Sequence, residues 1–440
     1  REETLRLRSF APTLFVVLAA ACPASAQPAG GWGRVAIYGT YSKATRDDGS
    51  AYTFSEVSAS ATVRSPGADD GGVEYAFDAR GAEYPSTPER STRANIYDAW
   101  VGGRASGGVV GLRVGQMWLN DLGGLGALAG LLAETRPFPA TAIGRFRFGL
   151  FAGLEPKNFE LGWVQDVRKG GAFVALDGER GRKHILGWVV VRNTGLTERS
   201  VMSMTNFVPI GTEVFIYQAL EYDLQGPAGQ AEGKGLTYFF VNGRVRIAKR
   251  FEIQGLYHKG NSIDSRSITQ DILNGRPVDS RLLQGFLFES AGGRLTVEVT
   301  RNIRIYGGYA REKNSSSDAS YGRLNIGASA TNVLGSGIDV NVSDNRYDTP
   351  TGKYDGWYAS VGRSIGSSIY LTADFSNSLS ILRVTGSDGI VVENRPRARR
   401  FGLSSTVNLG RSFSVLLSGE LLSDETSHET RVLSGLAYRF

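Results

Sequence analysis

The sequence predicts an all-β protein, a single transmembrane antiparallel β-barrel of about 22 strands, with 18 to 22 compatible with the pattern. Three observations predict it. Apolar and polar residues alternate with period two through most of the chain, the pattern of strands with one apolar and one polar face. Glycine is abundant, at 57 of 440 residues against 14 prolines, yet lacks the three-residue repeat of collagen. Past the N-terminal segment, no apolar run reaches the ~18 residues of a membrane-spanning helix.

At the N-terminus, Arg1, Arg6 and Arg8 precede the apolar stretch Thr13 to Ala21, and Ala24-Ser25-Ala26 supplies small residues before Gln27. This order reads as a cleaved export signal over 1–26, a short segment over 27–33 and the barrel over 34–440. The one cysteine, Cys22, lies inside the signal, so the exported chain carries no disulfide, thiolate nucleophile or cysteine metal site. The formal net charge of +6 is mild for this length and forms no basic stripe, which argues against a nucleic-acid partner.

Candidate strands run over 34–44, 51–65, 72–82, 92–104, 108–118, 143–154, 157–168, 170–178, 183–193, 198–208 and 211–223. The second half continues with 234–247, 250–258, 292–299, 302–312, 318–331, 335–346, 354–364, 367–378, 397–409, 411–421 and 429–440. Alternation is plainest in 335–346, where Ile338, Val340 and Val342 oppose Asp339, Asn341 and Ser343. In 143–154, Phe146, Phe148 and Leu150 oppose Arg145, Arg147 and Gly149. Between strands, tight turns such as 105–107, 155–156, 179–182, 248–249 and 365–366 alternate with longer stretches at 83–91, 119–142, 224–233, 259–291 and 379–396. Alternating turns and loops are expected of a membrane meander with its turns on the periplasmic side.

The last eight residues, Leu433-Ser434-Gly435-Leu436-Ala437-Tyr438-Arg439-Phe440, resemble the C-terminal signal of bacterial outer-membrane β-barrel proteins. Gly435, Tyr438 and Phe440 match that pattern, while Leu433 stands where a polar residue is usual. The resemblance implies a Gram-negative, porin-like barrel in the outer membrane. It also implies contact with outer-membrane lipid, a last strand read by the barrel-insertion machinery, and closure of that strand against the first. Trp118 and Trp357 are expected near the loop-side interface, and Trp32 and Trp100 near the turn side.

The chemistry-bearing residues argue against an enzyme. His184, His258 and His428 lie in separate segments without metal-ligand spacing, so no cofactor is expected. Gly124-Leu125-Gly126 imitates a dinucleotide fingerprint but lacks its βαβ context. The polar face carries Arg113, Arg145, Arg147, Arg244, Arg246, Arg294, Arg304 and Arg323 together with Glu213, Glu221, Glu252, Glu298, Asp339, Asp374 and Glu420. These read either as a salt-bridged lumen wall or as a weakly anion-favouring path. Across short turns, Arg246 is expected to face Glu252 and Glu298 to face Arg304.

Two stretches break the β pattern. In 119–142, Leu119, Leu122, Leu125, Leu128 and Leu131 recur every three residues, which suggests a short helix. In 259–291, Ser267 and Gln270 form a capping box closed by Asn274-Gly275, and Leu282, Leu283, Phe286 and Leu287 share a helical face. Each stretch either caps the barrel outside or folds inward as a constriction. The expected function is a channel for passage or export of small polar or anionic solutes. The alternative is an occluded barrel that docks a periplasmic or extracellular partner.

Overall fold

A computed structural model describes residues 31–440 except 67–71, 86–90, 106–107, 158–159, 231–232, 279–281, 283–284, 316, 350–351 and 386–390. The expected export signal lies outside the described residues.

The strands are β1 (Trp32–Arg46), β2 (Ala51–Arg64), β3 (Gly72–Tyr84), β4 (Ser91–Arg104), β5 (Val110–Trp118), β6 (Ala127–Thr135), β7 (Arg145–Pro156) and β8 (Trp163–Asp177). Next come β9 (Lys183–Asn193), β10 (Leu196–Ile210), β11 (Val214–Gln225), β12 (Gly235–Ile247), β13 (Phe251–Ser262), β14 (Phe286–Thr300), β15 (Ile303–Asn314) and β16 (Ser317–Ala330). The series ends with β17 (Ile338–Thr349), β18 (Gly352–Ile365), β19 (Ile369–Thr385), β20 (Val391–Asn394), β21 (Arg397–Leu409), β22 (Phe413–Ser423) and β23 (Ser427–Arg439). Each strand pairs antiparallel with its sequence neighbour; β20 and β21 both pair with β19 and act as one stave, so the barrel has 22. An α-helix, α1 (Ser265–Leu273), lies in the connection between β13 and β14.

The sheet closes where β1 meets β23, from Arg34 opposite Arg439 to Arg46 opposite Ser427. At this seam Gly435 is needed because a Cβ would lie 2.5 Å from the Tyr38 ring. Closure leaves no free edge, which is what lets a sheet cross lipid. We call the rim holding the start of β1 and the end of β23 the turn end, and the opposite rim the loop end.

Alternation sorts the residues as expected. Phe148, Leu150, Val342, Phe413, Leu417, Val432 and Leu436 point outward and are exposed, part of an apolar belt around the barrel. Their neighbours Arg147, Gly149 and Ser343 are buried within.

Four expectations need correction. The strand count is reached through two offsetting differences. Segments 157–168 and 170–178 lie in the single strand β8 with its preceding connection, and 119–142 contains the additional strand β6. Strand β6 hides its period because Leu128 and Leu132 face inward and Leu131 outward, making both faces apolar. Segment 379–396 is largely strand, an extension of the β19–β20 hairpin. Phe286 and Leu287 begin β14 and share no helical face with Leu282, while Leu283 lies outside the described residues. Nor is connection length strictly alternating: 194–195 at the loop end is a tight turn, while 136–144 at the turn end is longer.

Candidate functional site

The lumen wall is unequal around its circumference. Along β5–β10 it is thickened by the segment between β5 and β6, a short 3₁₀ turn over Asn120–Leu125 that bends at Gly123, where φ is 55°. The turn folds inward. Leu122 and Leu125 join Leu128, Leu132, Phe151, Val167, Phe173, Ile185, Val189 and Val201 in an apolar core that lies inside the barrel. Leu122 seats against Gly187 of β9, where a side chain would collide with it. Of the four leucines expected in a constriction loop, Leu122, Leu125 and Leu128 belong to this core, whereas Leu131 faces out.

Ionic contacts hold the turn on its polar side. Asp121 pairs with Arg147 Nη2 at 2.7 Å and with Lys183. Arg147 also reaches Glu134 at 2.5 Å and Asp177 at 3.1 Å. Glu134 and Glu74 are shared between Arg104 and Arg113, and the Arg113 guanidinium stacks 4.7 Å from the Trp100 ring. Trp100 is therefore a lumen residue, not part of an interfacial girdle, because the register shift between Asp78 and Ala79 resets the outward face of β4. A polar cavity of about 430 Å³ lies between these groups and Arg64, which binds Asp98 at 2.9 Å.

Helix α1 makes a second inward contact nearer the loop end. Its N-cap is Asp264, whose side chain accepts from Ser267 N, in place of the expected Ser267–Gln270 box. Asn274 caps its C-terminus and Gly275 follows at φ 66°. Ile268 and Thr269 are fully buried. Arg266 ties the helix to Glu198 of β10 at 2.6 Å and Glu155 of β7 at 3.0 Å. Next to it, Arg199 binds Glu221 and Asp223, and a cavity of about 400 Å³ opens toward Tyr238, His258 and Phe288. Among the described residues, His258 packs with aromatic rings and not with a nucleophile and an acid.

Further round the barrel, the inward arginines of β12–β16 are less neutralised. On β12–β16, Arg244, Gln254 and Arg294 occupy one inward row, followed by Gly308 and Asn325. Arg246 meets Glu252 at 3.5 Å, with Arg244 at 4.0 Å from the same carboxylate. Glu298 and Arg304 are register partners. Arg294 lies 4.0 Å over the Tyr306 ring. Among the described residues, no carboxylate comes within ion-pair distance of Arg294, Arg304 or Arg323.

The remaining sequence-derived candidates are scattered. Asp374 and Glu420 share Arg400 at 2.5 and 3.3 Å. Asp339 accepts from Asn332 N in a turn, Glu213 sits in the β10–β11 turn, and Arg145 is exposed at the turn end of β7. Sequence reasoning missed Asp121, Glu74, Glu134, Lys183, Lys169 and Arg266. Asp121 and Arg266 act from connections that return to a distant wall, as Arg266 does to Glu155, and strand alternation carries no sign of that; Glu74, Glu134, Lys169 and Lys183 stand on strands.

A closed, even-stranded antiparallel barrel with an apolar outer belt and a polar, loop-narrowed interior is the outer-membrane type of transmembrane barrel. No family model matches the chain, and no curated protein matches it. It is similar in structure to the P pilus usher (PapC) translocation pore, at 10% identity over 92% of this chain and 99% of that one, with a TM-score of 0.47. It is also similar to OccK7 (OpdD) of Pseudomonas aeruginosa, at 9% identity over 93% and 99% with a TM-score of 0.44. OccAB4 of Acinetobacter baumannii is similar at 10% identity over 94% and 99%, with a TM-score of 0.45.

Proposed function

We propose that the chain is an outer-membrane channel whose path runs along the β12–β16 wall and favours small polar or anionic solutes. The observation that carries this reading is the imbalance on that wall. Among the described residues, five inward arginines, Arg244, Arg246, Arg294, Arg304 and Arg323, stand against three inward carboxylates, Glu252, Glu298 and Glu312. Guanidinium groups left partly unpaired offer bidentate donors to a passing carboxylate or phosphate. The β5–β10 wall, against which the 3₁₀ turn and α1 fold, is where the lumen is narrowed. Its own charges are engaged in mutual pairs, so it is a support more than a conducting surface.

Planar-bilayer recording in a salt gradient tests the reading. The expected result is discrete conductance steps with an anion-selective reversal potential that moves toward zero in R244Q/R294Q. A folded barrel that gives no steps would count against a channel.

The inward turn and helix favour a second reading, an occluded barrel that presents its loop end to a partner. Removing residues 120–125 would then open a conductance absent from the intact chain.

A further inference from the structure

The outward face of the loop end carries arginines that the lumen and the proposed path do not use. Arg168 of β8 and Arg192 of β9 are direct register partners, both exposed on the side that carries Leu150 and Trp188. Side chains so placed start about 5 Å apart at Cβ, and like charges in that relation repel. Among the described residues neither arginine has an ion-pair partner, and Asp166, the next outward residue on β8, reaches neither.

A similar arrangement recurs on the far side of the barrel. Arg397 and Arg399 project outward from β21, directly above the outward Phe401 and Leu403, again without an ion pair among the described residues. By contrast, outward arginines with an acid nearby use it: Arg346 meets Asp344 at 3.0 Å, and Arg395 meets Glu393 at 2.5 Å.

Height fixes what these groups meet. Arg192 lies four residues, about 13 Å of strand, beyond Trp188, and Arg399 lies two residues, about 7 Å, beyond Phe401. They therefore sit just above the apolar belt, where headgroups lie. An arginine facing hydrocarbon costs several kcal/mol at the bilayer centre and little at the interface. A phosphate there supplies the counter-charge that relieves the repulsion, and it accepts from two guanidinium groups at once.

We propose that Arg168 and Arg192 together bind the phosphate of an anionic membrane lipid at the loop-end rim, with Arg397 and Arg399 forming a second such site. This stands independently of whether the lumen conducts. The test titrates the detergent-purified, folded barrel with lipid A and reads bound lipid by native mass spectrometry. With R397Q/R399Q as the background, so that one site is left, R168Q/R192Q should weaken binding about thirty-fold, the sum of two arginines near an anionic surface. R168K/R192K should retain most of it. R363Q, which removes an outward arginine between Ile338 and Leu371 at the turn end, should leave binding unchanged.

Zwitterionic phosphatidylcholine should bind equally weakly to all of these proteins. Three outcomes would overturn the proposal: equal affinity for lipid A of R397Q/R399Q with and without R168Q/R192Q, equal affinity of wild type for phosphatidylcholine and lipid A, or displacement of lipid A by millimolar inorganic phosphate. The last would assign the site to free phosphate.

Discussion

Replacing Asp121 with Ala should release the inward turn from the lumen wall. Asp121 is buried and holds the turn through Arg147, at 2.7 Å, and through Lys183. Breaking a buried pair by removing one partner typically costs about 3–5 kcal/mol. Here the lower figure applies. Arg147 keeps Glu134 and Asp177, and the Lys183 side chain, 36% exposed, regains water. A local loss of about 3 kcal/mol corresponds to an opening equilibrium about 150-fold more populated. The assay is hydrogen–deuterium exchange of the barrel in nanodiscs, following the peptide over 119–126. The expected result is a roughly hundredfold faster exchange of that peptide, with the β1–β23 seam unchanged. Leu122→Ala should act in the same direction, since truncating a fully buried leucine costs about 2–5 kcal/mol. If 119–126 exchanges in D121A at the wild-type rate, the turn is held by its leucines alone and the ionic anchor is refuted.

Further outcomes follow from neighbouring contacts. Arg266→Ala strands the Glu198 carboxylate, whose side chain is 6% exposed, and should raise exchange in α1 by about two orders of magnitude. The Asp264 carboxyl is held below its ordinary pKa, chiefly by the backbone N–H of Ser267, so its contribution is present above the unfolded value and lost as pH falls through the lower folded one. Exchange in α1 should therefore accelerate below about pH 4, and D264A, at a cost of about 1 kcal/mol, should abolish that dependence. Gly435→Val should weaken the seam, because the added methyls meet Tyr38, and should lower the temperature at which the barrel loses its folded mobility in SDS gels. A mobility transition unchanged from wild type would show that the seam absorbs the side chain.

Most of the fold was legible because one rule, alternation, governs any strand with lipid on one side and polar contents on the other. Segments 335–346 and 411–421 obey it and were placed closely. The rule failed where the lumen is not polar. Strand β6 packs Leu128 and Leu132 against the apolar core while Leu131 meets lipid, so a strand with two apolar faces gave a spacing of three that imitates a helix. The pairing of Arg246 with Glu252 could be anticipated because a short turn sets the register. The Asp121–Arg147 and Arg266–Glu155 contacts could not, since they join residues whose proximity depends on how far a connection bends into the barrel. Trp100 illustrates a third cause: one register shift is enough to turn a side chain from lipid to lumen.

The seam between β1 and β23 has a temporal consequence. β1 pairs with β2 on one edge, but its other edge waits for β23, the last strand of the barrel. Until β23 arrives, one side of β1 and one side of the newest strand present rows of unpaired amides, and hydrocarbon tolerates neither. Crossing the membrane is thus an act of the finished sheet. A chain stopped anywhere before β23 is a ribbon with two raw borders, fit to seek pairing with whatever strand is near.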